Sequence, residues 1–80
     1  MTRDAIAQWL VGYLSTLLEI DISQVDTGMC FDDYGIDSRD ALGLVGDLGD
    51  WLDVELDSTI IDDYQTIDEL SDHLSTVTAE

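Results

Sequence analysis

The chain lacks the residues on which several kinds of site depend. Proline is absent, and cysteine and histidine occur once each, as Cys30 and His73, in 80 residues. One thiol cannot form an internal disulfide, and no second cysteine stands at metal-ligand spacing. We expect Cys30 to be a small buried apolar group, and His73 to lie near the end of a helix, where an imidazole suits the negative end of the dipole. Neither residue predicts a metal or catalytic site.

Basic side chains are almost as scarce. Two basic residues stand against 19 acidic ones, which gives a net charge of −17 at pH 7. A nucleic-acid backbone and an anionic membrane would both repel this surface, so we expect neither as a partner. A basic protein surface is the expected partner, because the opposite charges favour encounter. General solubility or adaptation to a salty cytoplasm explains the charge as well, since the acids are spread along the whole chain.

Long hydrophobic runs are missing too. No stretch approaches the roughly 20 apolar residues that cross a bilayer, and the segment Met1–Asp4 does not resemble the start of a signal peptide. We therefore expect a cytoplasmic protein. The chain has no repeat, no low-complexity segment and no internal linker, so residues 1–80 are expected to form a single monomeric domain. A composition that is 45% hydrophobic supports a small core.

The spacing of apolar residues predicts a first helix from about Thr2 to Leu18. Thr2 can cap its start, and Asp4 favours the positive end of the helix dipole. Apolar residues recur at steps of three and four and form one face, with Trp9 at its edge. That face consists of Ile6, Leu10, Tyr13, Leu14 and Leu17.

A long connection follows, from Glu19 to Asp37. It contains clusters of turn-forming residues at 26–28 and 32–35. It also contains more apolar side chains than a solvated linker would have: Ile20, Ile22, Val25, Met29, Phe31, Tyr34 and Ile36. We expect this loop to pack across the helices and close one end of the domain.

A second helix is predicted to begin at Asp37 or Ser38 and to end near Leu52, with Asp37 as its cap. Its buried stripe is expected to consist of Ala41, Leu42, Val45, Leu48 and Leu52. Three glycines also recur at steps of three, at positions 43, 46 and 49, and each costs the helix about 1 kcal/mol relative to alanine. Two interpretations are open: another backbone or a partner approaches closely there, or the helix is simply loose.

The last third of the chain predicts one short and one longer helix. Residues 57–64 can form a short helical turn, and Thr66 with Glu69 makes a capping box for the last helix. The inner face of that helix is expected to be Ile67, Leu70, Leu74 and Val77. Only Val54–Leu56 resembles a strand. The predicted fold is an all-α four-helix bundle, with three longer helices, one short helix and a long first loop.

Ser38 is the residue best placed to carry chemistry. It follows a turn and begins a helix, so backbone N–H groups and the positive end of the dipole would favour a phosphate ester there. A serine that merely helps to start a helix fits the local pattern as well. The Gly-x-Ser-x-Gly setting of hydrolase nucleophiles is absent. The acidic residues also break the spacing that a calcium-binding loop needs.

An ordered set of motifs resembles acyl carrier proteins. Gly35-Ile36-Asp37-Ser38 followed by Ala41-Leu42 resembles their signature. Val54-Glu55-Leu56, Ile60-Ile61 and Asp63-Tyr64-Gln65-Thr66-Ile67 resemble the end of carrier domains from modular polyketide synthases. The resemblance runs from about Ile6 to Leu74, nearly the whole chain.

This resemblance implies a carrier domain that has no catalytic activity. Ser38 would be the attachment site of 4′-phosphopantetheine, transferred from coenzyme A by a separate, magnesium-dependent phosphopantetheinyl transferase. Asp37 would contact that transferase as well as cap the helix. An aspartate before the serine also implies acyl rather than peptidyl cargo.

A narrower resemblance concerns loading. Gly46-Asp47-Leu48 followed by Trp51-Leu52 is similar to carriers that receive fatty acids from fatty acyl-AMP ligases, which implies an acyl-adenylate as donor. Trp51 falls off the predicted buried stripe, so it either faces a partner or covers the end of the bundle. Two positions depart from the family pattern. Gln65 replaces the usual proline, and Arg39 replaces the usual leucine or valine, which should exclude partners with an apolar or basic socket.

The resulting hypothesis is tethered transport. An arm on Ser38 would carry acyl or polyketide intermediates as thioesters and raise their concentration at each partner's active site. The implied partners are the transferase, an acyl-AMP ligase or acyltransferase, and a ketosynthase or other polyketide synthase domains. The predicted partner-recognition residues are Arg39, Asp40, Asp47, Asp50 and Trp51. The alternative hypothesis is an unmodified acidic helical protein-interaction module, which explains the charge without Ser38.

Overall fold

The computed structural model describes residues 2–78, and within that range the chain is helical with no strand. The helices are α1 Arg3–Leu18, α2 Ser38–Leu52, α3 Ile60–Asp63 and α4 Ile67–Thr78. Short 3₁₀ turns at Ile22–Gln24 and Phe31–Tyr34 interrupt the long first loop. An isolated bridge joins Cys30 to Thr66, and residues 54–56 do not form a strand. The predicted all-α four-helix architecture is therefore confirmed. No helix in the described range combines the length and apolarity needed to span a membrane.

The three longer helices begin at the caps that the sequence predicts. Thr2 Oγ1 accepts a hydrogen bond from the Ala5 amide at 3.2 Å. Asp37 Oδ1 accepts from the Asp40 amide at 2.8 Å, and Thr66 Oγ1 accepts from the Glu69 amide at 3.0 Å. Each cap satisfies an amide that has no partner within the helix, so the start of each helix is set by local sequence.

A small core lies between the helices, with α1 packed mainly against α4. Its fully buried apolar residues are Ile6, Leu10, Leu14, Phe31, Leu44, Val45, Leu48, Ile67, Leu70 and Leu74. The predicted face of α1 is correct at its centre, and Tyr13 and Leu17 pack at its edge. At about 1.5–3 kcal/mol for each fully buried aliphatic or aromatic side chain, this cluster is the main source of stability.

Two of the predicted inner faces were partly wrong. In α2, Leu42 is 56% exposed, and Leu44 instead packs with Val45 and Leu48 in the core, because the apolar spacing does not show which flank of the stripe the core covers. In α4, Val77 is 54% exposed, since the core ends at Leu74.

A polar residue completes the buried face of α4. Ser71 is fully buried there, and its hydroxyl donates to the Asp68 carbonyl at 3.2 Å. This hydrogen bond satisfies the hydroxyl and so lowers the cost of burying it.

The long loop packs onto the helices, as expected, through Phe31 and a set of hydrogen bonds. Phe31 is 2% exposed, and the Tyr34 hydroxyl accepts from the Asp26 amide at 2.8 Å and donates to the Asp26 carbonyl. The Asp68 carboxylate accepts from Thr27 Oγ1 at 3.2 Å. Ile22 is an exception at 61% exposure. These bonds hold the segment that precedes α2.

Two residues set aside in the sequence analysis lie in different surroundings from those predicted. Cys30 is only partly buried, because its backbone, bridged to Thr66, lies at the edge of the core rather than inside it. His73 lies in the middle of α4, not near its end, and stacks on Tyr64 with ring centroids 4.1 Å apart.

Candidate functional site

Ser38 is an exposed residue at the first position of α2. Gly35 ends the preceding 3₁₀ turn with φ of 78°, a left-handed conformation that glycine adopts without strain. The chain then passes through Ile36 to Asp37, whose side chain caps α2 and so fixes where Ser38 stands. The turn and the cap together present one hydroxyl to solvent at the positive end of a helix dipole.

A groove of about 330 Å³ lies beside Ser38, between α2, α3 and the end of the long loop. Ile36, Ala41 and Ile61 contribute partly buried apolar surface to it. Its complete lining is Asp32, Ile36, Asp37, Ser38, Ala41, Leu42, Ser58, Ile61 and Asp62. The exposed side chain of Leu42 therefore lines this groove and not the core.

The groove residues other than Asp37 and Ser38 were not predicted as site residues. Ile36 and Ile61 were named as parts of motifs or as apolar residues, without a role in a site, and Ser58 was not considered. The local pattern that could have indicated a groove was an exposed turn followed directly by a helix with a leucine at position 42. This pattern does not indicate which later segment lies opposite Leu42, because α3 is distant in sequence.

A second cluster joins α1 to α2 through aromatic rings. Trp9 stacks on Trp51, with ring centroids 5.4 Å apart and planes inclined by 13°, and on Tyr13, at 5.2 Å and 24°. The Tyr13 hydroxyl donates to Asp47 Oδ2 at 3.0 Å. Burial raises the pKa of Tyr13, and the hydrogen bond and charge of Asp47 raise it further. Trp51 is 38% exposed, so it covers Trp9 and also presents surface to solvent.

The predicted partner-recognition residues are not gathered at one point. Arg39 and Asp40 lie beside Ser38 in the first turn of α2, whereas Asp47, Asp50 and Trp51 lie towards its other end. At about 1.5 Å per residue, Trp51 is about 20 Å from Ser38 along the helix. The surface thus has two separate parts.

The two arginines differ in their surroundings. Arg3 contacts Asp68 at 3.4 Å and Asp72 at 3.9 Å, while Arg39 is exposed and has no ion pair within residues 2–78. No group of three metal-ligating side chains occurs in that part of the chain either. Arg39 therefore lies next to Ser38 and, among the described residues, forms no ion pair.

Known proteins resemble this chain in sequence and in fold. The sequence pattern of the family described as "phosphopantetheine attachment site" matches residues 8–74. The acyl carrier protein TtuC of Teredinibacter turnerae is 33% identical over 75 residues, which are 94% of this chain and 86% of that protein.

A larger protein and a solved structure are also similar. Polyketide synthase 1 of Metarhizium guizhouense is 34% identical over 61 residues, which are 76% of this chain but 3% of that synthase. The solution structure of Asl1650, an acyl carrier protein from Anabaena sp. PCC 7120 with a variant phosphopantetheinylation-site sequence, superposes with a TM-score of 0.91. It shares 32% identity, and the superposition covers 98% of this chain and 89% of that one.

Proposed function

Because this chain belongs to the phosphopantetheine-attachment family of acyl carrier proteins, we propose that Ser38 bears the arm and that the protein conveys acyl or polyketide intermediates as thioesters. Members of the family carry 4′-phosphopantetheine covalently and are carriers rather than enzymes. The finer points proposed here are the attachment residue, the cargo and the partners.

The observation that supports attachment at Ser38 is the exposed position of this residue at the start of α2, beside a groove of about 330 Å³. In the attachment reaction, Ser38 Oγ would attack the phosphorus next to pantetheine in coenzyme A. A phosphodiester would form as the pyrophosphate bond to the nucleotide portion breaks. The serine proton would leave with the nucleotide portion of coenzyme A, under catalysis by a separate transferase. Exposure of the oxygen gives the transferase access, and the helix dipole favours the phosphate once it is attached.

The residues of this chain also fit the arm itself. When attached, the arm supplies a terminal thiol that holds an acyl group as a thioester. Ile36, Ala41 and Ile61 offer apolar surface next to the point of attachment, and Ser58 and Asp62 offer polar groups at the rim. Asp37 holds the first turn in place through the Asp40 amide and is proposed to contact the transferase.

Carrier domains of polyketide synthases interact with other synthase domains and are modified by a phosphopantetheinyl transferase. For this chain, the proposed partners are that transferase, an acyl-AMP ligase or acyltransferase, and a ketosynthase or a similar domain. Recognition is proposed to use Arg39, Asp40, Asp47, Asp50 and Trp51. Loading by a fatty acyl-AMP ligase stays a prediction, tested by offering the modified protein an acyl-adenylate or an acyl-coenzyme A and comparing the yields. A cytoplasmic location also stays a prediction, tested by cell fractionation.

The attachment site is tested by intact-mass analysis after incubation with coenzyme A, magnesium and a broad-specificity phosphopantetheinyl transferase. The expected result is a gain of one arm, lost in Ser38→Ala. Ser58→Ala is the matched control, because Ser58 is an exposed serine of the same groove, and it should keep the gain. A gain that survives Ser38→Ala would overturn the assignment. No gain in a folded protein would favour the unmodified interaction module.

A further inference from the structure

We infer that the Arg39 guanidinium binds the phosphodiester that joins the arm to Ser38, and so holds the base of the arm against the start of α2. The inference rests on the proposed attachment at Ser38. It gives Arg39 a role within this molecule, at a position where the family pattern has leucine or valine. Only the base of the arm is held in this way, so the thiol end stays free to reach partners.

The point of attachment lies among acidic side chains. Asp37 precedes Ser38 and caps α2, and Asp32 and Asp62 line the groove beside it. A phosphodiester is ionised at neutral pH, so the arm adds a negative charge to a chain whose net charge is already −17. Like charges around one groove repel each other, most strongly at low salt. Attachment therefore creates a local excess of negative charge that a neighbouring cation would offset.

Arg39 is the cation available for this purpose. The chain has two basic residues, and the other one, Arg3, contacts Asp68 and Asp72 on α4. Arg39 is exposed and forms no ion pair within residues 2–78. A cation in the first turn of a helix also opposes the helix dipole, so this position disfavours arginine until an anion lies beside it. The attached phosphate is such an anion.

The backbone directs Arg39 towards the attachment point. Ser38 is the first residue of α2 and Arg39 the second, and their Cα atoms are about 3.8 Å apart. Every Cα–Cβ bond in a helix tilts towards the N-terminus, so both side chains lean past the start of α2, where no further turn of helix separates them. Neighbouring residues lie about 100° apart around the axis, which the long arginine side chain can span at a helix end.

Arginine suits a phosphodiester better than lysine does. A planar guanidinium can donate two parallel N–H bonds to two phosphate oxygens, whereas an ammonium acts as a point charge and is strongly hydrated. Bonding of this kind fixes the direction of the guanidinium as well as its distance from the phosphate. It therefore predicts an ordered Arg39 side chain in the modified protein.

The test follows the arginine side-chain N–H signals by heteronuclear NMR at low ionic strength, before and after attachment of the arm, which intact mass verifies. In Arg3→Gln the remaining arginine signal belongs to Arg39, which identifies it. The expected result of attachment is a shift of the Arg39 Nε–H signal and severalfold slower exchange of that proton with water, because a hydrogen-bonded guanidinium is protected. The Arg3 signal of the parent protein should not change.

Phosphorus NMR and thermal melts of the modified variants make the test specific. Arg39→Gln should shift the phosphodiester signal, and attachment should lower the Tm of this variant by about 2–4 °C more than that of the parent protein. Arg39→Lys keeps the charge and should fall between the two. Arg3→Gln is the matched control, because it removes an equal charge that pairs with α4, and it should leave the phosphorus signal unchanged.

The outcomes separate failure of this inference from failure of the attachment proposal. Absence of the arm from Ser38 would overturn both. With the arm present, an Arg39 signal that shifts no more than the Arg3 signal would overturn the inference alone. So would a phosphorus signal that is the same in Arg39→Gln as in the parent protein, or equal effects of Arg39→Gln and Arg3→Gln on that signal.

Discussion

The glycines of α2 show how differently one residue type is used within a single helix. A β-carbon at Gly49 would lie 2.8 Å from the Val54 carbonyl oxygen, because the chain turns back there through Asp53. The Val54 amide also donates to the Gly49 carbonyl at 3.0 Å, which fixes this close approach. At Gly46, by contrast, nothing lies within 4 Å of the β-carbon position. Close backbone approach therefore explains Gly49, and nothing in the structure explains Gly46.

We expect substitution by alanine to change the free energy of unfolding in opposite directions at these two glycines. Gly49→Ala should lower the free energy of unfolding by about 1–3 kcal/mol, because backbone must shift to admit the methyl group. Gly46→Ala should raise it by up to about 1 kcal/mol, because alanine is the better helix former at an exposed position. Urea denaturation of the two variants measures the difference. Similar effects at both positions would contradict the packing described here.

At the scale of the element, the start of α2 joins stability to function through Asp37. Asp37→Ala removes the acceptor for the Asp40 amide and should cost about 1 kcal/mol of stability. Asp37→Asn keeps an acceptor oxygen and removes the charge, so stability should change by no more than a few tenths of a kcal/mol.

Modification rates then separate the two roles of Asp37. If its charge contacts the transferase, Asp37→Asn should be modified more slowly than the parent protein while remaining equally stable. Thermal melts and the initial rate of arm attachment provide the two measurements. An unchanged rate in Asp37→Asn would restrict Asp37 to capping.

At the scale of the whole molecule, charge repulsion should be the main electrostatic effect on stability. Within residues 2–78, Arg3 forms the only ion pairs, and they are exposed. Exposed pairs contribute about 0–1 kcal/mol each, so screening them costs little compared with relief of a net charge of −17.

We therefore expect the melting temperature to rise with salt. Between about 0.01 M and about 1 M the Debye length falls from about 30 Å to about 3 Å. Each 1 kcal/mol of relieved repulsion would raise the Tm of a domain of this size by roughly 4–8 °C. Sodium and potassium chloride should act alike, because screening depends on ionic strength. A Tm indifferent to salt, or a rise with one cation alone, would contradict this explanation.

The parts of the fold that could be predicted are those that depend on neighbours in sequence. The caps at Thr2, Asp37 and Thr66 bond to amides three residues ahead, so a short window of sequence contains all that is needed. The same holds for the exposed position of Ser38 after a turn. The errors at Leu42, Val77 and Ile22 have another origin, since helical spacing identifies an apolar side chain without saying whether a neighbour lies against it.

By itself, the sequence determined the helices, their starting points and the serine at the head of α2, because capping and periodicity act over a few residues. Only the tertiary structure decided that Ile61 would face Ser38 across a groove and that Trp9 would stack on Trp51. These contacts join residues far apart in the chain. They depend on how whole helices pack, and no local pattern records that arrangement.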